Sequence, residues 1–290
     1  MTVVAEASVA SLAGDASRED DSDAGAKLSF DLSVARSGEV NVAVLVNVEA
    51  FRASNEGRQL GPVISTITKR EDFFSHIDDL GVAWLLYTAP SLRNSAHGTM
   101  VMYCTAPDAK IDRWLDAKHA ESSAPIDAGA GVHAVRTRVD RAERVFLRAQ
   151  PHVVAMVPPE LVAEAASVLR GARLPAHADA GEAFRFRARN PQRVMSELPA
   201  SVTEARFWIA PRKDQGADFF FETDSSGATI VAQQLHDFLD REVDVSTRNA
   251  TLGVFDHPEI TATGDIAKVH IRATEAQLAA MLQIILVEFR

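Results

Sequence analysis

The stretch GTMVMYCTAPDAKIDRWLD, residues 98–116, decides the fold because it joins an apolar strand, a proline turn and a short amphipathic helix. Its first half is apolar on both faces, as central strands of a sheet are. Pro107 marks the helix start, and Ile111 and Leu115 fall on one side of that helix. A later stretch, DFFFETDSSGATIVAQQLHDFLD at 218–240, has the same order of elements. The two stretches together predict a chain built from two copies of one unit.

The segments around these stretches extend the correspondence. The first copy is predicted to hold a strand at 40–51, a helix after Gly61-Pro62, strands at 80–90 and 98–107, a helix at 108–118, three short strands between 132 and 157, and a helix closed by Gly171. The second copy is predicted to hold a strand at 182–189, a short helix from Asn190 to about Leu198, two strands, a helix at 226–243, strands at 251–257 and 266–273, and a closing helix at 274–289. Trp84 and Trp208 then occupy corresponding positions.

This order predicts an α+β fold with two tandem modules related to the ferredoxin-like β-α-β-β-α-β arrangement. Each module is expected to have an antiparallel sheet with helices on one face. The predicted organisation is a disordered acidic tail at 1–27, a first module at 28–172, a linker at 173–181 and a second module at 182–290. Whether the two sheets pack face to face or join edge to edge is left open by the sequence.

Composition excludes several classes of protein. The chain has 290 residues and a net charge of −10, which argues against binding to nucleic acid. No apolar run approaches the roughly 20 residues that a transmembrane helix needs. The opening MTVVAEASVAS lacks the basic and apolar regions of a leader peptide. We therefore expect a periplasmic or envelope-associated protein if a leader has been removed, and a cytoplasmic protein otherwise.

The single cysteine and the scattered histidines do not form a recognisable catalytic or metal-binding motif. Cys104 lies in an apolar strand and has no charged neighbour in sequence that would lower its pKa, so we predict a core position. No nucleophile elbow, phosphate-binding loop or pair of zinc-ligand motifs occurs. We expect no cofactor and no metal, and the sequence leans against an enzyme without deciding the point.

One predicted sheet face in the second copy concentrates basic and aromatic side chains. Strand alternation sends Phe184, Phe186, Phe207 and Phe221 toward the core. The opposite face then carries the candidate ligand-binding residues Arg185, Arg187, Arg206, Trp208, His270 and Arg272. Because arginine is suited to bidentate contact with carboxylate or phosphate, this face predicts a site for a small anionic ligand.

A second interpretation of the same face is an ordinary solvated surface, or one buried against the first copy. Asp218 and Glu222 come from the neighbouring strand and point the same way. Ion pairs across the strands would then neutralise the arginines. The sequence favours this second interpretation but leaves both open.

The runs EVNVAVLVNVEAF (39–51), LGVAWLLYTAP (80–90) and HVVAMVPPELVAEAASVL (152–169) resemble a loose group of uncharacterised bacterial envelope-associated proteins that carry a repeated α+β module. The resemblance covers roughly residues 28–285 and implies no activity and no functional residue. Three functions follow as hypotheses. The first is a non-enzymatic binding or scaffold protein with another protein as partner, the second is a small-ligand binding protein, and the third is an enzyme with a dispersed site.

Overall fold

The computed structural model describes residues 41–54, 79–90, 97–120, 126, 128–139, 142–178, 181–193, 198–242 and 245–288. The predicted tail at 1–27 and the predicted helix after Gly61-Pro62 lie outside these residues. The predicted module boundaries stay predictions.

The described strands form one antiparallel sheet in the order β10-β11-β9-β8-β7-β1-β2-β3-β6-β5-β4. This confirms an α+β protein with a large antiparallel sheet. The strands are β1 (Val42–Asn47), β2 (Val82–Ala89), β3 (Thr99–Cys104), β4 (His133–Val139), β5 (Ala142–Gln150), β6 (Val153–Val157), β7 (Phe184–Arg189), β8 (Val202–Pro211), β9 (Ala217–Ser225), β10 (Glu259–Thr263) and β11 (Ile266–Ala273).

The described helices connect these strands or pack on the sheet. They are α1 (Val48–Ala53), α2 (Asp108–Ala120), α3 (Val162–Gly171), α4 (Ala228–Glu242), α5 (Val245–Ala250) and α6 (Glu275–Glu288), with short 3-10 turns at Pro159–Leu161 and Pro191–Arg193. Within the described part of the chain, every helix is too short or too polar to cross a membrane.

Two predicted strands are corrected by local backbone geometry. The strand predicted at 40–51 ends at Asn47, whose side chain accepts a hydrogen bond from Ala50 N at 3.0 Å and caps α1. The strand predicted at 251–257 is a series of turns, because Leu252 and Gly253 have φ angles of 53° and 70°. Such angles do not fit an extended strand, and pairing begins only at Glu259.

Strands β1–β6 lie in the first predicted module and strands β7–β11 in the second, and we call them the first-module and second-module strands. The two sets join edge to edge, which answers the question that the sequence left open. β1 pairs with β7 in antiparallel register, with Leu45 opposite Arg185 and Val46 opposite Phe184. The sheet therefore continues without a break from the first predicted module into the second. Residues opposite each other in such a pair lie on the same side of the sheet.

This register divides the sheet into two sides. On the α2 side, α2 packs through Ile111 and Leu115 on a core that includes Leu85 and Met102. Helices α4 and α6 lie on the same side over the second-module strands. On the α3 side, α3 packs on a core that includes Leu45. Strands β2, β3, β5 and β6 are thus covered on both sides, so the prediction of helices on one face only is wrong here, and β6 is buried along its whole length.

Candidate functional site

The α3 side of strands β7, β8, β9 and β11 carries the residues that the sequence predicted as a site. We call this surface the charged face and define it by Arg185, Arg187, Arg206, Trp208, Phe220, Glu222, Lys268 and His270. Alternation along the strands places these side chains on one side and the core residues on the other. Among the described helices, α4 and α6 pack on the opposite side of these strands and α3 packs on the first-module strands.

A row of three rings crosses the charged face. Trp208 stacks on Phe220 with ring centroids 4.9 Å apart and an interplanar angle of 16°. Phe220 stacks on His270 at 4.6 Å and 8°. These spacings match the separation of neighbouring strands, about 4.8 Å, so the rings stand upright on the sheet and cover each other's faces. The ring edges therefore face solvent. Both faces of Phe220, the middle ring, are covered by its neighbours, so this ring cannot stack on a flat ligand.

Lys268 lies beside the aromatic row, two residues before His270 on β11, and its ammonium group is close to two of the rings. Its Nζ lies 5.4 Å from the Trp208 ring centroid and 5.1 Å from that of Phe220. At these distances the ring quadrupoles attract the ammonium group. The same ammonium pairs with Glu222 at 3.3 Å. Lys268 is thus held in place from two directions.

The arginines of the charged face are engaged by carboxylates. Arg187 pairs with Glu204 at 2.6 Å, and Arg206 lies 2.9 Å from Asp224 and 3.7 Å from Glu222. Arg185 contacts Glu182, and Arg272 contacts Asp218. Asp218 and Glu222 thus pair with Arg272 and Arg206, as one of the two interpretations from the sequence expected, whereas Arg185 and Arg187 pair with other carboxylates.

His270 is held by two carboxylates at once. Its Nδ1 lies 2.9 Å from Glu259 and its Nε2 lies 3.0 Å from Asp218. The side chain is 15% exposed, whereas that of Glu259 is 72% exposed. Both ring nitrogens therefore face carboxylate oxygens.

The structure places all six predicted site residues on one surface, although they do not form a single cluster. Arg185, Trp208 and His270 share the aromatic row, and Arg187 and Arg206 lie opposite each other in the next row. Arg272 lies at the margin, opposite Asp218 on β9. The acidic partners Glu182, Glu204, Asp224 and Glu259 were not predicted from the sequence, although alternation along the same strands could have found Glu204 and Asp224.

A second charged cluster lies on the α2 side, between α2 and the strands β4 and β5. Asp108 and Asp112 are one helical turn apart, and both contact Arg148, with a distance of 3.0 Å to Asp108. His133 lies 3.6 Å from Asp112 and 3.4 Å from Asp116. The hydrogen bond from Arg148 holds the pKa of the Asp112 carboxyl below its usual range, with a smaller contribution from His133. No set of three or more His, Cys, Asp or Glu side chains in the described ranges is placed to hold a metal ion.

Replacing Arg148 tests this cluster. A carboxyl with a depressed pKa in the folded state contributes stability above its unfolded pKa and loses that contribution as pH falls through the folded value. We expect Arg148→Met to lower the free energy of unfolding by about 1 kcal/mol near neutral pH, after allowing for solvent screening of Asp112. The loss should begin to shrink as pH falls through about 4, the ordinary pKa of an aspartate, and should disappear only below the depressed pKa of Asp112 in the folded protein.

Urea unfolding of both proteins over a range of pH values measures the difference. Arg136→Met is the matched control, because Arg136 also pairs with a carboxylate, that of Glu143, but its side chain is 35% exposed against 15% for Arg148. A loss for Arg148→Met that does not change between neutral and acidic pH would contradict an electrostatic origin.

Cys104 is a core residue, as the sequence predicted. Its side chain is fully buried among apolar residues of the α2 side, including Ile111 and Met102. Burial raises the pKa of the thiol to about 12. The backbone oxygen of Cys104 lies 3.1 Å from His152 Nδ1, but this contact does not involve the sulfur. The residue has the surroundings of an inert buried thiol.

Comparison with known proteins does not place the chain in a family. No protein-family model and no curated protein matches it. Among solved structures, crystal form I of TP0453 aligns with a TM-score of 0.49 and 10% identity, covering 85% of this chain and 94% of that one. The double ringed trimeric shell protein MSM0271 from the RMM microcompartment aligns with a TM-score of 0.14 and 14% identity, covering 66% and 82%. At these values neither likeness carries an argument about fold or function.

Proposed function

We propose that the protein is a non-enzymatic binding protein and that the charged face docks a partner polypeptide. The observation that carries the proposal is the row formed by Trp208, Phe220 and His270 on a sheet surface over which no described helix packs. The equivalent side of the first-module strands is covered by α3. An aromatic row without such a cover offers apolar area to a partner.

The residue types of the charged face favour a protein partner. Tryptophan and arginine are enriched among residues that dominate protein interfaces. The ion pairs hold the arginines in fixed positions before binding, which reduces the side-chain entropy lost on docking. The ring edges form an apolar strip beside side chains that are joined in ion pairs. A partner surface with apolar groups flanked by polar groups complements that pattern.

Binding of a small anionic ligand is the alternative function that the sequence also suggested for this face. Arg187 and Arg206 lie opposite each other and supply the donors for it. Their pairing with Glu204 and Asp224 weighs against this alternative, because an entering anion would have to compete with those carboxylates.

Internal duplication is part of the proposal and is supported by strand order. Moving outward from the β1–β7 pair, the first-module strands run β1-β2-β3-β6-β5-β4 and the second-module strands run β7-β8-β9-β11-β10, so the two series correspond over five strands and β4 is additional. Trp84 and Trp208 stand on β2 and β8, the second strand of each series. Two ferredoxin-like-related modules and an envelope location remain proposals, the latter from the resemblance of residues 28–285 alone.

The experiment compares two tryptophan truncations in the full chain. We expect Trp208→Ala to lower the recovery of a co-purifying polypeptide by about tenfold or more, since truncating an aromatic anchor costs 2 kcal/mol or more at an interface. Trp114→Ala is the matched control, because Trp114 is also half-buried but packs against Phe146 on the α2 side. Quantitative mass spectrometry after affinity purification measures both.

Two results would contradict docking on the charged face. One is equal recovery with both variants. The other is loss of the partner with Trp114→Ala alone. A shift in melting temperature on addition of inorganic phosphate that is lost in Arg187→Glu, together with unchanged polypeptide recovery in Trp208→Ala, would support the anion site instead.

A further inference from the structure

We propose that the edge strand β10 pairs with β10 of a second copy of this chain to form a symmetric dimer. β10 is at one end of the sheet, and on its outer side no strand from the described residues pairs with it. Glu259, Thr261, Ala262 and Thr263 are exposed. An edge strand presents backbone N–H and C=O groups that another strand can pair with.

The composition of β10 gives it little protection against such pairing. Natural edge strands are kept very short or carry charged side chains, proline or a bulge. β10 has the sequence EITAT, in which Glu259 is the one charged residue; Pro258 lies just before the strand, and β10 pairs with β11 without a register shift. Threonine and isoleucine also favour strand pairing.

Two-fold symmetry fixes the register of the proposed pair. In an antiparallel pair across a two-fold axis normal to the sheet, opposed residues must lie on the same side of the sheet. The only register of this kind that pairs all five residues puts Thr261 on the axis, Ile260 opposite Ala262 and Glu259 opposite Thr263. No like charges meet in this register, and the Thr261 pair is one of the favourable cross-strand pairs.

The opposite edge of the sheet does not allow the same arrangement over its full length. Full self-pairing of β4, with the sequence HAVRTRV, puts Arg136 on the axis and therefore opposite itself. Like charges directly opposite each other destabilise an antiparallel pair. β10 is thus the edge strand whose whole length pairs with a second copy without opposing like charges. Since the axis is normal to the sheet, the dimer would present two charged faces on the same side.

Substitutions at two neighbouring positions test the register with opposite expected effects. Thr261→Glu puts two carboxylates opposite each other on the axis, while within one copy it places Glu opposite Lys268. We expect this change to weaken dimerisation by about threefold or more without loss of folding. Thr263→Lys puts an ammonium group opposite Glu259 of the second copy, and two such pairs should tighten the dimer by about threefold to tenfold.

Sedimentation equilibrium of the full-length protein over a range of concentrations measures the dissociation constant. Thr203→Glu is the matched control, because Thr203 is exposed on the interior strand β8, and it should leave the dimer unchanged. Thermal unfolding of each variant checks that it folds. A wild-type protein that is monomeric at every concentration would overturn the proposal, and so would a dimer that Thr261→Glu and Thr263→Lys affect in the same direction.

Discussion

An aromatic disulfide reagent is expected to label Cys104 about a thousand times more slowly in the native protein than in the unfolded chain at neutral pH. The thiolate is the reactive species, and burial raises the pKa of this thiol from 9.0 to about 12. A rise of this size lowers the thiolate fraction by about three powers of ten. The surrounding side chains also exclude the reagent, since Cys104 is completely buried.

The absorbance of the released thiol measures both rates, with and without denaturant. Because the chain has one cysteine, no second thiol complicates the result. The unfolded protein is the control for reagent activity. Native labelling within about tenfold of the unfolded rate would contradict the core position and reopen a role for Cys104 as a nucleophile.

Trp84→Ala is expected to lower the free energy of unfolding by about 3–5 kcal/mol, the range observed when a buried aromatic side chain is removed. Trp84 has no exposed surface, and its Nε1 donates a hydrogen bond to the Pro175 carbonyl at 2.9 Å. The substitution leaves a cavity between β2 and α3 and an acceptor without its donor. Few single changes in this chain should cost more.

Trp208→Ala is the matched comparison, because Trp208 also lies on an interior strand of the sheet. Trp208 is half-buried and contacts Phe220 through one stacked pair, so we expect a loss of about 1 kcal/mol. Urea unfolding followed by far-ultraviolet circular dichroism measures both. Equal losses would contradict the assignment of Trp84 to the core and of Trp208 to a docking surface.

Strand alternation predicted the charged face because it depends only on local sequence. Arg185 and Arg187 are two residues apart in β7, and a period of two puts them on one side in any sheet. The same rule, applied to β8 and β9, correctly placed Trp208 and Glu222. The predicted α+β class follows from the same local patterns.

Features that depend on long-range contacts were not predictable in this way. The ion pair of Arg206 with Asp224 requires the register between β8 and β9, which is set by the whole sheet. The joining of β1 to β7 and the position of α3 depend on how apolar surfaces are distributed over both modules. The prediction of a strand at 251–257 was wrong because it rested on the apolar residues there, whereas Gly253 allows the positive φ angle of a turn.

Site-specific photo-crosslinking in cells of the source organism tests the central claim, that the charged face docks a partner polypeptide. A benzophenone amino acid is introduced at Arg272, whose side chain is 64% exposed at the margin of the face. The matched position is Ile230 on α4, which is 66% exposed on the α2 side. Mass spectrometry identifies the crosslinked species.

We expect one discrete polypeptide adduct from position 272 that is absent from position 230 and that is lost when Trp208→Ala is added. The same adducts from both positions, or no adduct from position 272 while the protein is folded, would contradict docking on the charged face.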